Sequence, residues 1–142
     1  SYAKTLRSEG YFVFSSTSGQ KALKLIHKFY YDLYYIDLNL PDIRGVELIR
    51  AIREQRPDAM IVSISGEATE AELRQLRQIG VFDHLEKPMS PRRLRHMTQI
   101  YLQKLAQHRR QLQQARDYEK RLSIWDVLKR ALLDMLRIIK QS

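Results

Sequence analysis

The chain has 142 residues, 44% of them apolar, which suits one domain of ordinary size plus an appendage and excludes wholesale disorder. It contains no cysteine, so disulfides and thiolate-held metals are excluded, and no apolar run approaches the roughly 20 residues of a membrane span. The formal charge of +9 is uneven: residues 1–90 carry 12 Lys/Arg against 12 Asp/Glu, whereas residues 91–142 carry 13 against 4.

The first ten residues hold no apolar signal-peptide core. The spacing predicts a helix over 2–8, closed at Gly10. Tyr11-Phe12-Val13-Phe14 is a β-prone run ended by a Ser/Thr/Gly turn. Ala22, Leu23, Leu25 and Ile26 give 21–29 helical spacing. Residues 33–38 are β-prone and run into the turn Asn39-Leu40-Pro41-Asp42. Val46, Leu48, Ile49 and Ile52 form one side of a helix over 46–56, stopped by Pro57-Asp58. Residues 60–64 form a buried-type strand, 67–79 a helix with an acidic start and Gly80 at its end, and 81–85 the next strand. Pro91 stands where a further helix begins. Strands alternating with helices over short loops predict a parallel sheet covered on both faces, a doubly wound α/β fold.

All five glycines and all four prolines lie at or before Pro91. Beyond it, Leu94, Thr98, Tyr101, Leu105, His108, Leu112, Ala115, Glu119 and Leu122 follow alternating steps of four and three, a coiled-coil or bundle face interrupted by His108 and Glu119. Ser123 followed by Asp126 reads as a capping box opening a new helix, with Trp125, Leu128, Leu132, Leu136 and Ile139 as its apolar stripe. The expected organisation is an α/β core over 1–90, an extended helix over 91–122, and an amphipathic basic helix over 123–142.

Ligands and chemistry gather at the carboxyl ends of parallel strands. Three residues stand there: Asp37, Ser65 and Lys87. A carboxylate is a nucleophile able to form an acyl phosphate, and an ammonium and a hydroxyl contact phosphoryl oxygens. Singly, each has an ordinary reading: Asp37 as a turn residue before Asn-Pro, Ser65-Gly66 as a loop, Lys87-Pro88 as a turn. Their succession at three strand ends is what raises them above it.

The segment Tyr31-Asp32-Leu33-Tyr34-Tyr35-Ile36-Asp37-Leu38-Asn39-Leu40-Pro41-Asp42, followed by Gly45 and Leu48, closely resembles the phosphoacceptor segment of response-regulator receiver domains, the chemotaxis-regulator-like modules of two-component signalling. Ile61-Val62-Ser63-Ile64-Ser65-Gly66 is similar to their hydroxyl-bearing strand end, and Gly80 to Pro88 to their last strand and Lys-Pro turn. The resemblance covers about residues 1–105. It implies a flavodoxin-like fold and a phosphorylation-dependent switch, not an enzyme beyond its own phosphotransfer, working in the cytoplasm. Asp37 is implied as the acceptor of phosphate from a histidine kinase or phosphotransfer protein, Lys87 as its charge partner, Ser65 as the sensing hydroxyl and His84 as the strand-borne relay. Magnesium is the implied cofactor, held by Asp37, the Asn39 backbone carbonyl and an acidic pair. That pair closes the family's first strand, and neither strand nor pair stands before Tyr2. A truncated sequence, a strand supplied by a partner, and a degenerate receiver without metal are the open explanations, truncation being the one expected.

The basic extension is read first as a homodimerising, signal-transmitting helix pair. Plain packing with a solvated basic face comes next, and nucleic-acid or membrane contact last, since no helix-turn-helix or base-stacking motif accompanies the charge. The competing functional reading is a phosphate-independent pseudo-receiver scaffold for protein–protein interaction.

Overall fold

The computed structural model describes residues 1–141; Ser142, the last residue of the expected basic helix, lies outside them. The elements in chain order are α1 (Tyr2–Ser8), α2 (Gly19–Lys28), β1 (Leu33–Asp37), α3 (Gly45–Gln55), β2 (Met60–Ser65), α4 (Glu70–Ile79), β3 (Asp83–Glu86) and α5 (Pro91–Gln141). The chain divides into two units, residues 1–103 and residues 104 onward. This boundary differs from the one expected at residue 90, because the first turns of α5 belong to the core of the first unit.

In that unit the three strands form one parallel sheet in the order β1-β2-β3. Side chains alternate between its faces. Tyr34, Ile36 and Ile61 meet Ile26 of α2, Leu48, Ile49 and Ile52 of α3 and Leu76 of α4. Val62, Ile64 and Leu85 meet Leu6 of α1 and Leu94 and Tyr101 of α5. Both faces are therefore buried, which is why β2 reads as an almost unbroken apolar run. The doubly wound α/β fold expected from the sequence is the fold observed.

Local chemistry sets the element ends. Thr69 and Glu72 exchange backbone and side-chain bonds in a capping box, so α4 begins at Glu70, three residues later than the acidic run suggests. Gly80 closes α4 in the left-handed region at φ 87°. The Val81 amide still donates to Leu76 at 3.0 Å, so β3 begins only at Asp83, two residues after its expected start. Arg53 on α3 donates to the carbonyls of Pro57, Ala59, Ile79 and Gly80 and satisfies acceptors left over at the end of α4 and the entry to β2. Two phenols anchor the start of α5 on the sheet: Tyr35 bonds Thr98 at 2.6 Å, and Tyr101 donates to the Asp83 carboxylate. Burial pushes the Tyr35 phenol up to about 12, so it stays protonated over any physiological range.

Two expectations are corrected. The run Tyr11 to Phe14 is not a strand. A groove of about 340 Å³ is lined by Phe12, Val13 and Phe14 of this run together with Leu33 and Tyr35 of β1, and the run joins none of the strands of the sheet. The Val13 carbonyl is bonded instead by the Arg7 guanidinium. The second correction concerns Ser123. The helix α5 continues through it, and no new helix begins there. No Gly or Pro interrupts the chain beyond Pro91, so the capping pattern of Ser123 and Asp126 has no helix end to cap.

Asp42 ties the loop after β1 to the start of α2. It accepts from the Gly19 amide at 2.8 Å and from the Gln20 amide and Ser18 hydroxyl at 2.9 Å each. The Gln20 and Gly19 amides, in that order, hold its carboxyl down to about 2. A depressed carboxylate stabilises the fold above its unfolded value and loses that contribution as pH falls through the folded value. Asp42→Asn should therefore flatten the dependence of stability on pH between about 4 and 2, a window set by those two values. Urea midpoints measured across it check this, and an unchanged slope would contradict it.

Candidate functional site

Asp37 is the last residue of β1, opposite Ile64 of β2. The Leu38 amide donates to the Ile64 carbonyl at 2.9 Å, and the Lys87 amide to the Ser65 carbonyl at 2.7 Å. These bonds carry the ladder one residue beyond both outer strands. They deliver Asp37 and Lys87 to the carboxyl end of β2 from its two sides.

There the Lys87 ammonium makes a hydrogen-bonded ion pair with Asp37 Oδ2. The Asn39 amide donates to Asp37 Oδ1 at 2.9 Å. Each carboxylate oxygen thus has a donor, which orients the Asp37 side chain. The two side chains are 35% and 31% exposed, so a second molecule can reach them. The Lys87–Pro88 peptide is cis.

Ser65 does not join this pair. It is fully buried, and its hydroxyl lies 3.1 Å from Nε2 of His84. Nδ1 of His84 lies 2.7 Å from the hydroxyl of Ser63, also fully buried. Burial pushes the His84 imidazole below its ordinary value, against the opposing pull of the Glu86, Asp83 and Glu72 carboxylates. Two groups therefore flank the end of β2: the Lys87 and Asp37 side chains with the Asn39 backbone amide on one side, and the Ser63, His84 and Ser65 side chains on the other. The backbone bond from Lys87 to Ser65 links them. Asp37, Lys87, Ser65, His84 and Asn39 were all visible as candidates from the sequence. Ser63 was not, although two serines at alternate positions of an apolar strand are a signal that one sheet face carries a polar pocket.

The donors for a divalent cation are fewer. Among the described residues no group of three or more His, Cys, Asp or Glu gathers at metal-holding spacing. Asp37 supplies one carboxylate with an ammonium on one oxygen, and Asn39 supplies one carbonyl. Magnesium demands near-octahedral oxygen coordination. The described residues do not make a complete site for it.

The family model of the response regulator receiver domain matches residues 1–99. The response regulator SaeR of Staphylococcus aureus (strain USA300) is 28% identical over 86 residues, 61% of this chain and 37% of that protein. The chain thus spans little over a third of the length of the curated relatives it matches. A CheY-like receiver domain protein from Methanospirillum hungatei JF-1 shares the fold with a TM-score of 0.72 at 24% identity, over 75% of this chain and 86% of that one. A response regulator from Burkholderia pseudomallei, whose structure contains a phosphorylated aspartic acid, calcium and citrate, aligns with a TM-score of 0.60 at 30% identity, over 64% of this chain and 54% of that one. A parallel sheet ending in a paired aspartate and lysine, and a family match over more than half the sequence, lead to one assignment: the chain belongs to the response-regulator receiver domains of two-component signalling.

Proposed function

We propose that this chain is a phosphorylation-dependent switch in which Asp37 accepts a phosphoryl group from the phosphohistidine of a histidine kinase or phosphotransfer protein. The observation that carries the reading is the Asp37 carboxylate held between the Lys87 ammonium and the Asn39 amide at the carboxyl end of the sheet. In the step, an Asp37 oxygen bonds to phosphorus as the phosphorus–nitrogen bond to the donor imidazole breaks. The imidazole leaves, and an acyl phosphate remains on Asp37. Lys87 then has phosphoryl oxygens in place of a bare carboxylate to neutralise. Ser65 is the hydroxyl that senses the new charge. The phosphorylated aspartate of the Burkholderia neighbour supports the assignment of the acceptor. Label transferred from a phosphohistidine donor should be released by hydroxylamine, as an acyl phosphate is, and should be missing from Asp37→Asn. Label that survives hydroxylamine would overturn the assignment.

The reading includes an output. Residues 104–141 form one unit, and Leu122, Trp125, Leu128, Leu132 and Leu136 are each between 47% and 70% exposed on it. An apolar face of that extent needs a partner, and a second copy of the same helix supplies one with matching spacing. Sedimentation equilibrium should show a concentration-dependent dimer, and a monomer at every concentration would remove this part.

The competing reading is a phosphate-independent scaffold for protein–protein interaction. It requires that Asp37→Asn leave partner binding unchanged, whereas the switch requires that phosphate-dependent binding be lost.

A further inference from the structure

Ser63 and Ser65 stand two residues apart on β2 and so project from one face of the sheet. His84 is paired with Ser63 across the parallel ladder, which puts its ring on that face too. Both hydroxyls are fully buried, and each meets one ring nitrogen, Ser63 at 2.7 Å and Ser65 at 3.1 Å. A neutral imidazole has one N–H and one bare nitrogen. With both nitrogens engaged, one serine donates to the ring and the other accepts from it. Were Ser65 the donor, its single proton would be committed to His84. Were Ser63 the donor, Nε2–H would bond the Ser65 oxygen, and Ser65 would keep its proton for another acceptor. The Ser63 contact is the shorter, as expected when the donor is O–H rather than N–H.

We propose that Ser63 is a positioning residue: it donates to Nδ1 of His84, fixes the Nε2–H tautomer, and so leaves the Ser65 proton available to a phosphoryl oxygen on Asp37. The phosphoryl end of this relay rests on the switch reading above; the tautomer does not. The charged groups facing His84 are Asp83 and Glu86 of β3 and Glu72 of α4, with Arg77 of α4 and Arg93 of α5 lining the same shallow pocket. The carboxylates favour a protonated ring. Burial opposes them, and a hydroxyl that donates to a bare nitrogen acts in the same direction as burial, since it bonds only the neutral ring.

The test is nitrogen NMR of histidine-labelled, unphosphorylated intact protein, comparing the natural sequence with Ser63→Ala and Ser63→Thr. The natural protein should show His84 as the Nε2–H tautomer alone. Ser63→Ala should mix the tautomers and raise the His84 titration midpoint by about one pH unit, the size of one lost hydrogen bond to the neutral ring. Ser63→Thr, which keeps the hydroxyl, should restore the natural pattern. A packing role alone would lower stability while leaving tautomer and midpoint in place, and that result would overturn the proposal. An Nδ1–H tautomer in the natural protein would overturn it without any variant. Because the readout needs no phosphoryl group, it stands or fails independently of whether Asp37 is phosphorylated.

Discussion

Gly45→Ala should cost the fold about 2 kcal/mol, within the range for overpacking a filled site, and slow phosphorylation of Asp37 at the same time. A Cβ at position 45 would lie 2.4 Å from the Asp37 carbonyl oxygen and 2.5 Å from the Leu38 Cα. Both are backbone atoms of the turn that aims the Asp37 side chain, so no flexible side chain can swing aside. The Gly45 amide also donates to the Leu38 carbonyl at 3.2 Å, which holds the start of α3 against that turn. Relief requires the turn or the helix to retreat. Even a shift of about 1 Å in a reacting group is enough to lower a rate substantially. The gain in helix propensity from Gly to Ala, about 1 kcal/mol at most, offsets only part of the cost. Gly66→Ala is the control, because a Cβ there meets nothing within 4 Å and its backbone is not left-handed. Urea unfolding of the two variants should separate them clearly. Equal stabilities would show that the turn yields freely and that Asp37 is not held by its contact with α3.

Lys87→Ala should lower the rate of Asp37 phosphorylation by about a hundredfold or more, the usual cost of removing one preorganised charge donor. Its effect on stability should be small. The pair is about one-third exposed on each side, and ion pairs so open to solvent contribute roughly 0–1 kcal/mol. The separation of the two effects is the informative part. A structural salt bridge would show its loss in the unfolding midpoint, whereas a phosphoryl partner shows it in the rate of adduct formation. An unchanged rate would remove Lys87 from the chemistry.

Much of this site was legible because the chemistry of parallel sheets is positional. Asp37 and Ser65 close their strands and Lys87 follows one, and the ladder brings Asp37 and Lys87 together. What the residues could not convey is direction. Ser65 stands at the same sheet end, yet its hydroxyl faces His84, on the sheet face that strand parity gives to both. The run Tyr11 to Phe14 has every local feature of a strand. Strand formation depends on a neighbour to bond, and this run joins none of the strands of the sheet. Ser123 and Asp126 form a local capping pattern that the continuous α5 overrides, since the chain around them offers no helix breaker. The ends of α4 and β3 moved for a related reason: the Thr69–Glu72 box and the Gly80 cap each settle a boundary within a few residues, below what periodicity resolves.

The central claim is that Asp37 is a phosphoacceptor, and intact-mass spectrometry of the natural protein beside Asp37→Asn tests it most directly. Each is incubated with and without acetyl phosphate and magnesium, with circular dichroism to confirm the fold. The account predicts one phosphoryl adduct on the natural protein, formed only with the donor present, and none on Asp37→Asn. An adduct on both proteins would place the acceptor elsewhere. No adduct on a folded natural protein would contradict the switch and leave the phosphate-independent scaffold as the reading that survives.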